Sequence, residues 1–310
     1  MSQEEYDLII IGGGAAGLTA GIYACRGKLD TILLEKLAPG GLTATSDWVE
    51  NYPGFPQGIS GLDLMSKMEE QAKRFGLDVV QADIVSIELE GKAKIVKTKM
   101  EEYKAKSVII ATGTQPRKLN VPGEEKFTGK GVSYCATCDG PLFKDKEIAV
   151  IGTGNSGIQE GLFLLKFVRK ISFVELLPHM TADKILQERI KQQKNAQFFL
   201  NHLLVSINGE SKVESIIIKD RANNKDKIIP VQGVFLYAGL DPNTGFLKGR
   251  LELSKCGFIV ADEFTKTSIP GVFAAGDVRS KNLRQIVTAA ADGAQAAYMA
   301  EKYIDDLKGK

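Results

Sequence analysis

The sequence is poor in three things, and each shortage removes a class of protein. It has almost no charge imbalance: 40 Lys and Arg stand against 38 Asp and Glu, a formal net charge of +2 in 310 residues. Neither a nucleic-acid track nor a basic membrane-binding face is therefore expected. It has no apolar run approaching the ~18 residues that a membrane span needs, and its opening, MSQEEYDLII, lacks the basic start and apolar core of a signal peptide. It has only four cysteines and two histidines, which suits a reducing compartment better than a secreted disulfide framework. A cytoplasmic protein is predicted, with small molecules or other proteins as partners. By the usual prior of roughly 150 residues per domain, the chain is about two domains long.

What is abundant is glycine in a particular order, and the order occurs twice. Residues 6–11, YDLIII, form a continuous apolar run of the kind that makes a buried parallel strand. GGGAAG follows at 12–17, then LTAGIYACRG, read as a helix ended by Gly27, then the strand TILLE ending at Glu35. The same plan returns as EIAVI at 147–151, GTGNSG at 152–157, the helix IQEGLFLLKFV and the strand ISFVE ending at Glu175. Each acid falls 23 residues after the first glycine of its turn.

A lone GxGxxG is weak evidence, but a strand before it, a helix after it and an acid about 20 residues on make the dinucleotide-binding fingerprint. Gly12 and Gly152 permit the tight turn, Gly14 and Gly154 let backbone amides approach a pyrophosphate, and Gly17 and Gly157 let helix pack on strand. The helix N-terminus then faces the phosphates. Glu35 and Glu175 would each accept a hydrogen bond from a free ribose 2′-OH and repel a 2′-phosphate. Glu35 thus suits the adenosine of FAD. Glu175 suits NADH rather than NADPH, in keeping with LLPHMTAD at 176–183, which carries no Lys or Arg. The alternative is that Glu175 caps a solvated strand end.

Each module closes on a further buried strand and turn, SVIIATGTQP at 107–116 and GVFLYAGLDP at 233–242. One more strand, GVFAAGD at 271–277, has no place in the second module and places Asp277 at a carboxyl end, where ligands bind in open parallel sheets. The predicted fold class is α/β, with two Rossmann-like dinucleotide-binding domains, the second inserted into the first. The expected boundaries are 1–116 and 244–310 for the FAD-binding domain and 117–243 for the inserted NAD(P)H-binding domain.

Between the two modules lies SYCATCDG, with Cys135 and Cys138. A zinc site needs four ligands, and the chain offers one CxxC, the solitary Cys25 and Cys256, His179 and His202, with no second paired spacing. No metal is expected. A structural staple is disfavoured because so short a loop restricts the unfolded chain little. Redox exchange remains, since CxxC spacing favours a stabilised thiolate and an easily opened disulfide. Asp139 could move a proton to or from a departing thiolate, or could simply begin an Asp-Gly turn. Two dinucleotide sites in one chain suggest a relay from nicotinamide to flavin.

These residues resemble the low-molecular-weight thioredoxin reductase family along essentially the whole chain. GGGAAG, VENYPG at 49–54, ATG at 111–113, CATCDG at 135–140, GTGNSG, AGLDPNT at 238–244, AAGDV and RQI at 284–286 carry the resemblance. It implies a homodimeric FAD enzyme that reduces the disulfide of a thioredoxin-like protein, with Cys138 facing the flavin, Cys135 attacking the partner and Asp139 as the acid. It further implies FAD contacts at Ala15, Ala16, Gly41, Leu42, Asn51, Ala111, Thr112, Gly113, Gly276, Asp277, Arg284, Gln285 and Ile286, and nicotinamide-nucleotide contacts at Asn155 and Ser156.

The chain also departs from the family pattern. NADPH-using members have a basic cluster where this chain has Glu175, Leu176, Leu177 and Pro178; Gly157 stands where they often have alanine, and Leu42 where glutamine is usual. These departures leave open reduced ferredoxin or another non-pyridine donor in place of NADH. A flavin-dependent dithiol oxidase is the competing activity, and the intact GTGNSG argues against it. The nicotinamide and the CxxC pair both belong to the inserted domain and need one flavin held by the other. A hinge rotation in GTQPRKLNVPG and GLDPNTGFLKG is the expected solution.

Overall fold

In the computed structural model the described residues are 5–247 and 249–309. Met1–Glu4, part of the opening that bears on a leader, and Lys248 in the second connection lie outside them. The chain divides into two compact units. One runs to Gln115 and resumes at Asp241, and the other is Pro116–Leu240; the crossings expected from the sequence, 116/117 and 243/244, lie one and three residues later.

The first unit is built on a 7-stranded sheet. Its elements are β1 (Tyr6–Ile11), α1 (Ala15–Arg26), β2 (Thr31–Glu35), α2 (Gly61–Arg74), β3 (Asp78–Gln81), β4 (Ile84–Glu88), β5 (Lys94–Thr98), β6 (Glu102–Ile110), β17 (Val272–Ala274) and α7 (Ile286–Leu307). The order is β3-β2-β1-β6-β5-β4, with β17 parallel to β6, so that Ala274 pairs with Ile110. β1 is buried from Leu8 to Ile11 and lies parallel to both β2 and β6. Its odd and even residues therefore feed two different cores, Leu8 and Ile10 one and Ile9 and Ile11 the other. Helix α1 packs closely against α7 because Gly293 has no side chain: a Cβ there would strike the Ala16 carbonyl oxygen.

The second unit repeats the plan. Its elements are α3 (Glu124–Phe127), β8 (Val132–Ser133), α4 (Ala136–Asp139), β9 (Glu147–Ile151), α5 (Asn155–Leu164), β10 (Lys170–Val174), α6 (Lys184–Lys191), β11 (Ala196–Phe199), β12 (His202–Asn208), β13 (Ser215–Asp220), β14 (Asp226–Pro230) and β15 (Gly233–Leu236). The order β11-β10-β9-β15-β8 makes a 5-stranded parallel sheet, and β12, β13 and β14 form a separate antiparallel one. The two chain crossings, β7 (Thr114–Pro116) and β16 (Leu240–Pro242), pair as a two-stranded ribbon.

Both fingerprint helices begin earlier than the apolar pattern indicates. α1 starts at Ala15 and α5 at Asn155, each N-capped by the glycine before it. The last residues of each glycine turn already form the first helical turn, whose free N–H groups require no apolar periodicity. Among the described residues, no helix is long and apolar enough to cross a membrane.

Candidate redox and dinucleotide sites

The two glycine turns have the same geometry for the same reasons. Gly12 and Gly152 adopt φ of +105° and +102°, a region that L side chains rarely enter. A Cβ on Gly12 would strike the Ala111 carbonyl, and one on Gly152 the Tyr237 carbonyl. Gly17 and Gly157 are buried, and a Cβ on either would meet the carbonyl oxygen of Gly12 or Gly152. These four glycines are explained by the protein itself.

Gly14 and Gly154 are not. Both are extended, at φ −77° and −75°, a conformation open to any residue. A Cβ on Gly14 would meet no atom within 4 Å, and one on Gly154 only Thr181 Oγ1 at 3.5 Å. Neither backbone strain nor packing demands glycine there. The missing Cβ leaves room there for a group from outside the chain, and neither α1 nor α5 has an acid in its first turn that would repel a phosphate.

The two acids are held alike but not identically. Gly13 N–H donates to Glu35 Oε2 at 2.6 Å and Leu37 N–H to Oε1 at 3.0 Å. Thr153 donates both N–H and hydroxyl to Glu175 Oε2, each at 2.8 Å, and Leu177 N–H donates to Oε1 at 3.0 Å. Glu175, at 8% exposure, has therefore committed more of its lone pairs than Glu35, because Thr153 supplies a hydroxyl where Gly13 has none. The following residues, Leu176 through His179, are exposed. The side chain of Asn155 is taken by α6: its Oδ1 accepts from Asp183 N–H at 2.7 Å and its amide donates to Asp183 Oδ2 at 3.0 Å. Ser156 is exposed.

In the first unit, residues far apart in sequence gather around the turn at Gly12. A Cβ on Gly41 would lie 3.5 Å from the Gly14 Cα, and a Cβ on Gly276 (φ +79°) would lie 2.8 Å from the Ala16 Cβ. Ala15 and Ala16 are buried, whereas Leu42 is exposed. Ala111 N–H donates to Ile11 O at 2.8 Å, placing the turn Ala111–Gly113 at the carboxyl end of β6 beside that of β1. Asn51 donates to Gln285 Oε1 at 2.9 Å, and Gln285 N-caps α7, which Ile286 opens. Arg284 lies 4.0 Å from the Phe258 ring centroid, and its Nε donates to Asp277 O at 3.4 Å.

Asp277 sits past the carboxyl end of β17. Its Oδ1 is buried and accepts no hydrogen bond among the described residues; the Lys281 ammonium, 3.5 Å away, is an ion-pair neighbour only. Burial pushes its carboxyl above the ordinary range, with Lys281 and Arg284 pulling the other way. A buried acceptor without a donor and an unexplained glycine at a helix start are what a flavin dinucleotide would complete, so these residues fit FAD.

Four contributors were not singled out as site residues from the sequence, although Asn243 lies within AGLDPNT. Asn243 amide donates to Thr112 O at 2.9 Å and its carbonyl accepts from Thr112 Oγ1 at 2.9 Å. Asp292 on α7 binds Arg279 at 2.7 Å, Lys281 at 3.0 Å and Gly276 N–H at 3.0 Å. No motif or spacing marks Arg279, Lys281 and Asp292, which the fold gathers beside Asp277.

Cys135 and Cys138 form a disulfide, with Cα atoms 5.4 Å apart. Cys135 caps α4: its Sγ accepts from Cys138 N–H at 3.2 Å and lies 3.4 Å from Thr137 Oγ1. Cys138 is exposed and Cys135 half-buried. Asp139 ends α4, and Gly140 continues in helical conformation at φ −50°, ψ −46°, so no Asp-Gly turn of the left-handed kind is present. Cys25 is a buried free thiol and Cys256 an exposed one.

Residues 6–293 match the model of the pyridine nucleotide-disulphide oxidoreductase family. The chain is 44% identical to a thioredoxin reductase of Peptoclostridium litorale, across 98% of this chain and 99% of that protein. It superposes on the crystal structure of Lactococcus lactis thioredoxin reductase in its FR conformation with a TM-score of 0.96, at 39% identity over 97% of this chain and 100% of that one. For the crystal structure of T. acidophilum thioredoxin reductase the TM-score is 0.93 at 38% identity, over 98% and 100% of the two chains. The chain thus belongs to the pyridine nucleotide-disulphide oxidoreductases and, within them, is an enzyme of the low-molecular-weight thioredoxin reductase type.

Proposed function

We propose that this enzyme reduces the disulfide of a thioredoxin-like protein, takes its electrons from NADH, and works as a homodimer in a reducing, cytoplasmic compartment. The observation that carries the reading is the Cys135–Cys138 disulfide in the same unit as an intact dinucleotide turn.

FAD, when bound, accepts hydride from a nicotinamide and passes an electron pair to a disulfide. Residues proposed to hold it are Gly14 and the α1 N-terminus at the pyrophosphate, Glu35 at the adenosine ribose, and Asn51, Asp277 and Gln285 elsewhere along the group. Gly154 and the start of α5 would take the NADH pyrophosphate, and Glu175 its adenosine ribose. Once the pair is reduced, Cys135 thiolate attacks one sulfur of the partner's disulfide and displaces the other as a thiolate. Asp139 supplies the proton for a departing thiolate. Cys138 then attacks Cys135 Sγ in the mixed disulfide, releasing the second partner sulfur and closing Cys135–Cys138 again, so that two electrons have moved to the partner. Rotation about the two connections would let nucleotide and dithiol use one flavin in turn.

A carboxylate at Glu175 disfavours a 2′-phosphate, and no Lys or Arg in 176–183 offsets it. A second reading, with reduced ferredoxin or another non-pyridine donor, is favoured by the three hydrogen bonds that already occupy Glu175. Anaerobic mixing with NADH, NADPH and reduced ferredoxin in turn, followed by flavin absorption, decides among them. Bleaching by NADH is expected. Bleaching by NADPH alone at low concentration overturns the assignment of Glu175, and bleaching by ferredoxin alone establishes the second reading.

A further inference from the structure

Tyr237 occupies the seam between the nucleotide turn and the disulfide. It follows β15, and its N–H donates to Ile151 O at 2.8 Å, fixing it at the carboxyl end of the sheet beside Gly152. Its backbone walls the glycine turn: a Cβ on Gly152 would strike its carbonyl oxygen, and one on Gly157 would lie 3.5 Å from its own Cβ. Its hydroxyl reaches the other way and accepts the N–H of Ala136 at 3.1 Å. Ala136 is the residue after Cys135 and the first of α4.

The N–H at the start of a helix has no partner within the helix. Ala136 is 1% exposed, so water cannot easily replace the phenol, and a buried amide without an acceptor is costly. Burial, with the charges of Glu160 and Asp139 nearby, pushes the Tyr237 phenol far above its ordinary range. It therefore stays a neutral hydroxyl, able to accept from an N–H at any working pH.

The two redox states of the pair use this bond differently. In the oxidised chain the S–S bond itself closes the turn over Cα atoms 5.4 Å apart. In the dithiol, only hydrogen bonds keep the two sulfurs facing each other. The stability of a disulfide is set by the effective concentration of one thiol at the other, and this falls when the turn between them loosens. We propose that Tyr237 is a positioning residue of the dithiol centre, clamping Ala136 so that Cys135 and Cys138 stay preorganised when reduced and the pair remains strongly reducing. An unpaired Ala136 N–H acts in the same direction, because it is costlier in the closed turn than in an open one that can reach water. The inference rests on the reading of Cys135 and Cys138 as the exchanging pair.

The test is Tyr237→Phe, which keeps the ring and removes the hydroxyl. Wild-type and variant holoenzymes are equilibrated with graded ratios of reduced and oxidised dithiothreitol, quenched, alkylated, and read by mass spectrometry on the peptide holding Cys135 and Cys138. The expected result is a shift of about tenfold toward the dithiol in the variant, the scale of one lost hydrogen bond to a buried group, equivalent to about 30 mV for a two-electron couple. An equilibrium constant within twofold of wild type overturns the proposal. Independently of any variant, hydrogen exchange at the Ala136 amide of the wild-type dithiol should be protected; free exchange there also overturns it. A pair that dithiothreitol cannot open in either protein refutes the reading of function instead.

Discussion

Gly14→Ala and Gly154→Ala should separate ligand binding from folding. At both positions the backbone is extended and the added methyl meets nothing closer than 3.5 Å. Exchanging glycine for alanine at an N-cap costs at most about 1 kcal/mol, and the smaller entropy of the unfolded chain returns about 0.4–1 kcal/mol. The net is near zero, so Tm in the flavin-free state should move by no more than about 2–4 °C. The same methyl enters the space through which a pyrophosphate reaches the helix N-terminus. Losing one charge-assisted N–H contact there costs about 1.5–3 kcal/mol, or roughly tenfold to a hundredfold in affinity. Gly154→Ala should therefore raise the NADH KM by that factor and leave the flavin bound, whereas Gly14→Ala should be purified with little flavin. Gly152→Ala is the contrasting control. Its φ of +102° and collision with the Tyr237 carbonyl should cost at least about 2 kcal/mol of stability. Unchanged NADH KM in a Gly154→Ala protein of unchanged Tm would refute the argument that this glycine is kept for a nucleotide.

Two further outcomes are expected. Cys138→Ser should abolish reduction of a thioredoxin-like substrate while donor-driven flavin bleaching persists; loss of both would assign Cys138 to flavin binding rather than electron transfer. For Asp277, burial first, opposed by Lys281 and Arg284, sets the folded pKa above its ordinary 3.8, so ionisation costs stability once pH exceeds the folded value, and the cost disappears as pH falls toward 3.8. Asp277→Asn should accordingly stabilise the flavin-free protein at neutral pH but not near pH 3.8, and speed FAD release from the holoenzyme, measured by flavin fluorescence. A variant less stable at neutral pH in the absence of flavin would contradict this account.

The parts of the site that were legible in the sequence are those whose chemistry lies along a few consecutive residues. The duplicated strand-glycine-helix plan, the acids Glu35 and Glu175, and the CxxC pair with Asp139 are set by backbone conformation and local spacing, and strands β1 and β9 fall where the apolar runs end at glycine. The helix starts were misplaced because the first turn of a helix needs capping and free amides, not apolar periodicity. The sequence offers Asp139 equally as an acid and as the start of an Asp-Gly turn, and the structure bears only on the turn, since Gly140 continues in helical conformation.

The sequence by itself determined that the chain holds two dinucleotide folds and one disulfide-forming cysteine pair, because glycine's backbone freedom and the short reach of a CxxC loop are local properties. Tertiary structure alone decided that Asn51 meets Gln285, that Asp292 braces the loop of Asp277 through Arg279 and Lys281, that Thr153 occupies Glu175, and that Tyr237 holds Ala136. These contacts join residues from 11 to 234 positions apart. No period or motif encodes them, since they arise only when parallel strands bring their carboxyl ends to one edge of a sheet.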